Sequence, residues 1–241
     1  MKNQKLLENK EDNVIFLNTV IIILLLLFFS IIFSFISTKF LKFISLEAEV
    51  FFAGILTFVI ELSILIYLFY RFPEQFLCIF KNRFTGFFMG ILYYFMSLPF
   101  LSILVSISFN LFKKYGFEPI PQELIFIYLF TKSIPLLIFL FFFSCFFAPF
   151  FEEIIFRGFL YTAIKKKFSV PLSVFITSLI FSLFHPNVFI FCGIFLLSLI
   201  LTYLFEKTQN LWVPIGIHFA NNFFTNLLIF ILKFYDFKLF Y

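Results

Sequence analysis

Apolar stretches at 14–37, 49–70, 86–112, 134–164, 170–184, 188–205 and 211–233 fill most of a 241-residue chain. A helix that crosses the hydrocarbon core of a bilayer needs only ~20 consecutive apolar residues, and several of these stretches are longer. In lipid every backbone N–H and C=O must find its partner within the protein, so segments of this kind fold as helices. The pattern predicts an all-α, polytopic membrane bundle of seven transmembrane helices, with an eighth if 123–131 (ELIFIYLFT) takes part. That piece ends before Lys132 and is too short to span alone, which suits an interfacial helix or the start of a longer, broken one.

The first stretch lacks a small-residue cleavage site and exceeds the core of a signal peptide, so it reads as a retained helix behind a short polar tail. Hydrophobic residues make up 63% of the chain and charged residues 13%, which excludes an ordinary water-soluble domain. Of the 49 Phe, most need no functional account: 15 Lys against 3 Arg, with abundant Ile and Asn, is the usage of an AT-rich coding sequence. A net charge of +5 gives modest attraction to anionic lipid headgroups and no nucleic-acid patch. Cys78, Cys145 and Cys192 lie far apart in apolar runs, as buried thiols rather than disulfides or metal ligands. With a cytoplasmic N-terminus, ten basic residues fall inside and seven outside; the run Lys165–Lys167 marks the cytoplasmic end of the fourth span.

Charged groups in a membrane helix cost at least a few kcal/mol each, about 2.5–3.5 on insertion scales, so the few inside these stretches are functional candidates. They are Glu61, Glu152, Glu153, Arg157, His185 and His218. Glu153 and Arg157 stand four apart, carboxylate first, and can pair on one helix face. Glu152 points about 100° away, free to face a cavity and to serve as a base. His185 precedes Pro186 and so falls near a helix end, while His218 shares a face with Asn222 four residues on. Counting back from the Lys165 end, Glu152, His185 and His218 lie about 20, 24 and 12 Å deep, loosely compatible with one site. Glu61 has no partner in the sequence; it reads as a structural hydrogen bond or a neutral acid. A polar clamp between helices is the bland reading of the Glu/Arg cluster.

The motifs EEIIFR (152–157), FSLFH (181–185) and HFANN (218–222), in this order, resemble the CAAX protease and bacteriocin-processing family, also called the Abi family of intramembrane glutamic endopeptidases. Its patterns are EExxxR, FxxxH and HxxxN or HxxxD. The flanks AP (148–149), FRGFLY and LWVPIGIHFANN are similar as well. The resemblance covers about 146–230, a motif-bearing core within a single domain whose first 145 residues carry no placed motif. It implies that Glu152 and His185 hold and activate a water, that His218 and Asn222 stabilise the oxyanion, and that Glu153 and Arg157 support the site. It implies no cofactor, a membrane-associated peptide or protein as substrate, and a multi-pass protein of the cell membrane, or of an endomembrane in a eukaryotic host.

Three other readings stand beside it. Glu152, His185 and His218 are acceptable zinc ligands, although no HExxH pair is present. A non-catalytic immunity or assembly factor would keep the fold without the chemistry. A proton-coupled transporter would use Glu, His and Arg as a relay. Chelator sensitivity separates the first from a glutamic peptidase, and the behaviour of Asn222→Ala separates the last.

Overall fold

The computed structural model describes residues 12–26, 45–80, 84–117, 123–185 and 187–234. The polar tail up to residue 11, residues 27–37 of the first apolar stretch and Pro186 lie outside the described residues, as does the side chain of Cys78. Among those described there are only helices: α1 (Asp12–Leu26), α2 (Leu46–Arg71), α3 (Pro73–Ile79), α4 (Thr85–Lys114), α5 (Glu123–Phe130), α6 (Ile134–Lys165), α7 (Val170–Leu183), α8 (Val188–Thr208) and α9 (Trp212–Phe234). Five of them, α2, α4, α6, α8 and α9, are long and apolar enough to cross a membrane. The chain is a polytopic helical membrane bundle.

Burial is inverted relative to a water-soluble protein. Arg157, Glu153, Ser173, Thr177 and Ser198 are fully buried, whereas Tyr70, Phe100 and Met96 are among the most exposed side chains. Lipid solvates the aromatic and aliphatic exterior, and polar groups gather where other helices can satisfy them.

Two of the predicted segments depart from simple spans. The eight residues of α5 form a separate short helix, its Tyr128 carbonyl accepting from Lys233 Nζ of α9 at 2.9 Å. α7 has 14 residues, about 21 Å at 1.5 Å per residue, short of the ~30 Å hydrocarbon core. It therefore stops inside the bundle. The chain turns at His185, whose N–H donates to the Ser182 carbonyl at 3.1 Å, and α8 starts behind the Asn187 cap, whose side chain accepts from Phe189 N at 3.0 Å. Such a break in regular structure is tolerated at membrane depth only where protein surrounds it or a cavity adjoins it.

The most extensive packing joins α4 to α9, with α7 and α4 both against α8. Close approach of α4 and α9 depends on two glycines: a Cβ on Gly90 would meet the Val213 carbonyl oxygen at 2.2 Å, and one on Gly216 the Phe87 carbonyl oxygen at 2.1 Å. Both obstacles are backbone, which cannot swing aside. Gly90→Ala and Gly216→Ala are each expected to cost about 1–3 kcal/mol by forcing the helices apart. Gly193→Ala, which meets only a Val105 methyl at 2.6 Å, should cost less. Unfolding midpoints of the three variants in one detergent test the ranking.

At one end, Lys165 Nζ bonds both oxygens of Glu206 at 2.8 and 2.6 Å, Tyr161 Oη donates to the same carboxylate at 2.9 Å, and Lys166 pairs with Asp12. This polar belt ties α6 to α8 and α1.

Candidate active site

The long helix α6 carries the Glu/Arg cluster, and two π-helical segments, Phe143–Phe147 and Ile154–Tyr161, flank Glu152 and Glu153, the second of them containing Arg157. Pro149 accounts for the first. The N–H of Ala148 reaches back to the Phe143 carbonyl, five residues away, and Pro149 has no N–H to offer. The Ser144 carbonyl is thus left without a helical donor. Asn222 of α9 supplies one, its Nδ2 donating to Ser144 O at 2.8 Å. One turn further, Asn226 Nδ2 donates to Ser144 Oγ at 2.9 Å and approaches Cys145 Sγ at 3.3 Å. π segments of this kind are frequent at functional sites because they re-aim a few side chains without ending the helix.

The cluster itself is knit across three helices. Glu153 and Arg157 are both fully buried and paired, Nη1 to Oε1 at 2.9 Å. Arg157 also donates through Nη2 to Ser198 Oγ at 2.7 Å and through Nε to Thr202 Oγ1 at 3.3 Å on α8. Its guanidinium lies over the Phe181 ring of α7, 4.5 Å from the centroid. Every face of this cation is used, which is what allows it to be buried at all.

His218 joins from α9. Its Nδ1 lies 2.8 Å from Glu153 Oε1, the same oxygen that receives Arg157. An ionised carboxylate only accepts, so Nδ1 carries the proton and the ring is fixed in orientation. Nε2 then turns toward Glu152, 3.9 Å from Oε2. That separation is beyond a direct hydrogen bond and within the reach of a bridging group. Glu152 differs from its neighbour: its side chain is 27% exposed, yet Oε2 itself is enclosed and makes no hydrogen bond within the protein.

His185 stands at the end of α7 with Nδ1 3.0 Å from its own helix's Phe181 carbonyl, an acceptor, which leaves Nε2 as the free nitrogen. The Phe181 ring is 4.9 Å from the His185 ring and 5.8 Å from that of His218. Phe181 is therefore the apolar centre around which Arg157, His185 and His218 are arranged. Among the described residues, Glu152, His185 and His218 do not group as a metal-ligand set. Cys145 is a buried free thiol, as the sequence suggests, while Cys192 is a half-buried one, less enclosed than expected.

Sequence reasoning names Glu153 as the partner of Arg157 but misses its second bond, to His218. It also misses Ser198, Thr202 and Asn226. A signal existed for each: Ser198 and Thr202 are a polar i, i+4 pair in an apolar helix, and Asn226 extends the four-residue spacing of His218 and Asn222. Asn222→Ala is expected to cost about 1–3 kcal/mol, because the Ser144 carbonyl then has neither a helical nor a side-chain donor. Thermal unfolding of Asn222→Ala beside Asn221→Ala, which leaves the Ser144 contact in place, measures that cost.

Neither a curated protein nor a solved structure matches this chain. Residues 133–224 match the model of the Rce1-like family, described as type II CAAX prenyl endopeptidase Rce1-like. The matched segment begins at 133 rather than 146 and ends at 224 rather than 230, so it takes in the whole first π segment and all of α7 and α8. It contains Glu152, Glu153, Arg157, His185, His218 and Asn222, and accords with the resemblance carried by the three motifs. From the N-terminus of α6 to the middle of α9, the chain is thus similar to the Rce1-like family, over 92 of its 241 residues.

Proposed function

We propose that the protein is a membrane-embedded endopeptidase of the glutamic type, hydrolysing a peptide bond in a membrane-associated peptide or protein substrate. The observation that carries this reading is the pair of unlike carboxylates: Glu153 is fully buried and holds both Arg157 and His218 on Oε1, while Glu152 is 27% exposed, is not in the ion pair with Arg157, and places its unbonded Oε2 3.9 Å from His218 Nε2. One is locked as a support and the other is available as a base.

In this reading a water lies between Glu152 and the free Nε2 of His185. Glu152 takes one of its protons as the water oxygen adds to the substrate carbonyl carbon. Negative charge develops on the carbonyl oxygen and is met by the Nε2–H of His218 in its imidazolium form and by the remaining N–H of Asn222. Collapse breaks the C–N bond, and Glu152 returns the proton to the leaving amine. Glu153 keeps His218 oriented, and Arg157 keeps Glu153 ionised in a dry setting. Neither a nucleophilic Ser or Cys nor a metal is needed, and the substrate enters from the bilayer or its interface. The cell membrane, or an endomembrane of a eukaryotic host, is its proposed location.

The test is mass-spectrometric mapping of cleavage in a library of membrane peptides, prenylated and unprenylated, with the protein in lipid nanodiscs. Cleavage that survives a chelator is expected; chelator-sensitive cleavage would instead favour a zinc peptidase. Absence of cleavage throughout the library would put a non-catalytic membrane factor first. Comparison of the two peptide sets reads out whether a prenyl group is required.

A further inference from the structure

Asn221, Asn222 and Asn226 stand in the middle of α9, a membrane-spanning helix in which an amide without partners is costly. Asn222 has a part in the proposed chemistry, and the other two have none so far. Asn226 is buried, on the stripe that continues His218 and Asn222 at four-residue spacing. Its Nδ2 reaches α6 at Ser144 Oγ, 2.9 Å away, and at Cys145 Sγ, 3.3 Å away. Asn221 turns to its neighbour instead, Nδ2 donating to Asn222 Oδ1 at 3.1 Å.

The donors and acceptors of Asn222 show what these contacts do. A primary amide has one acceptor oxygen and two N–H donors in a single plane. Oδ1 receives Asn221, and one N–H goes to the Ser144 carbonyl at 2.8 Å. A carbonyl only accepts, so the amide cannot flip without setting oxygen against oxygen. With both ends of the plane held, one N–H remains, and the other two contacts fix its direction.

The Ser144 carbonyl needs holding in its turn, because it lies in the π segment Phe143–Phe147 and Pro149 offers it no N–H. Asn226 grips the same residue by its hydroxyl, one turn along α9 from Asn222. Ser144 is thereby tied to α9 at two points, which sets both the height and the rotation of this turn of α6. The other contacts of the hydroxyl, Phe141 O at 3.4 Å and Cys145 Sγ at 4.0 Å, lie within α6 and do not hold the two helices in register.

We propose that Asn226 and Asn221 are positioning residues for Asn222: Asn226 secures the Ser144 carbonyl, Asn221 secures the amide oxygen, and together they leave Asn222 one aimed N–H as the oxyanion donor. The catalytic part rests on the peptidase reading above. Both residues act through Asn222 rather than on the substrate, and their effect belongs to the transition state, since an oxyanion donor must be in place before the charge develops. Asn226 lies beyond residue 224, where the match to the family model ends.

Nuclear magnetic resonance of the protein in nanodiscs, with nitrogen-labelled asparagine, tests the arrangement without substrate. The side-chain signals of Asn222 are those lost in Asn222→Ala. Its two N–H protons should differ, the one on the Ser144 carbonyl being protected from exchange with deuterium. Asn226→Leu should shift both signals and cut that protection about tenfold, and Ser144→Ala, which keeps the carbonyl and loses only the hydroxyl, should do the same even where Asn226→Leu fails to fold. Asn221→Ala should shift the signals with the protection retained. Asn222 signals unmoved by Ser144→Ala or by Asn221→Ala would overturn the proposal.

The kinetic arm uses one mapped peptide. Each of these variants should lower kcat per folded molecule about tenfold at unchanged KM, and Ser144→Ala with Asn226→Leu should cost no more than either alone, as two ends of one contact. A lowered unfolding midpoint with native kcat per folded molecule would overturn the positioning role, leaving a structural one. Native protein that cleaves nothing, while the amide signals respond as expected, would sink the peptidase reading and leave the arrangement of Asn222 standing.

Discussion

Arg157→Ala is expected to destabilise the protein by about 3–5 kcal/mol, the cost of stranding one member of a buried ion pair. The size follows from what is left behind. Glu153 would keep a charge in a fully buried site with His218 as its sole donor, and Ser198 Oγ and Thr202 Oγ1 would lose the guanidinium that links α6 to α8. The Phe181 ring would lose the cation 4.5 Å from its centroid and face a cavity. Glu153→Gln should fall in the same direction, because a neutral amide pairs poorly with both Arg157 and His218. Arg157→Lys should recover only part of the loss: one ammonium cannot reach Glu153, Ser198 and Thr202 together. The measurement is the yield of monodisperse protein and its unfolding midpoint in detergent. Native-like midpoints for Arg157→Ala would mean that the cluster does not hold the bundle together.

The architecture was legible because a bilayer makes one demand, and the sequence answers it repeatedly. Each long helix coincides with an apolar stretch, since nothing else satisfies backbone groups in lipid. Within α6 the spacing of Glu153 and Arg157 was enough to foresee their pairing, because a contact between residues four apart depends on local geometry alone. The bond between Glu153 and His218 joins residues 65 apart and depends on how α6 and α9 pack, which no local pattern encodes. The π segment at Phe143–Phe147 shows the same division. Pro149 was visible as a break in the donor sequence, but the donor that answers it, Asn222, belongs to another helix. Early termination of α7 was foreshadowed by the His185–Pro186 junction, whereas the consequence, a histidine brought to the interior beside Phe181, required the tertiary structure. Glu61 marks where sequence reasoning stopped: it was conspicuous by type, and the part of the chain beside its turn of α2, at Phe147 and Phe151 of α6, is remote in sequence.

For Glu152→Gln the expectation is the reverse of that for Arg157→Ala: folding is retained and cleavage is lost. The Glu152 side chain is 27% exposed and makes no hydrogen bond through Oε2, so an amide of the same shape leaves few partners stranded. The chemistry fares differently, because a glutamine can neither take the proton of an attacking water nor return it to a leaving amine. General acid and base catalysis by one group is worth roughly 10²–10⁴-fold each way, so kcat should drop by at least about a hundredfold, with KM little changed. His218 would still face the site with Nε2, so residual activity above the uncatalysed rate fits the scheme. The decisive comparison is cleavage of one mapped peptide by native protein and Glu152→Gln at matched folded fraction, set beside their unfolding midpoints. A variant that melts with the native protein and cleaves at the native rate would move the base elsewhere. Joint loss of fold and activity would place Glu152 beside Glu153 in the structural clamp, and only an intact but inactive variant separates two adjacent carboxylates into a support and a base.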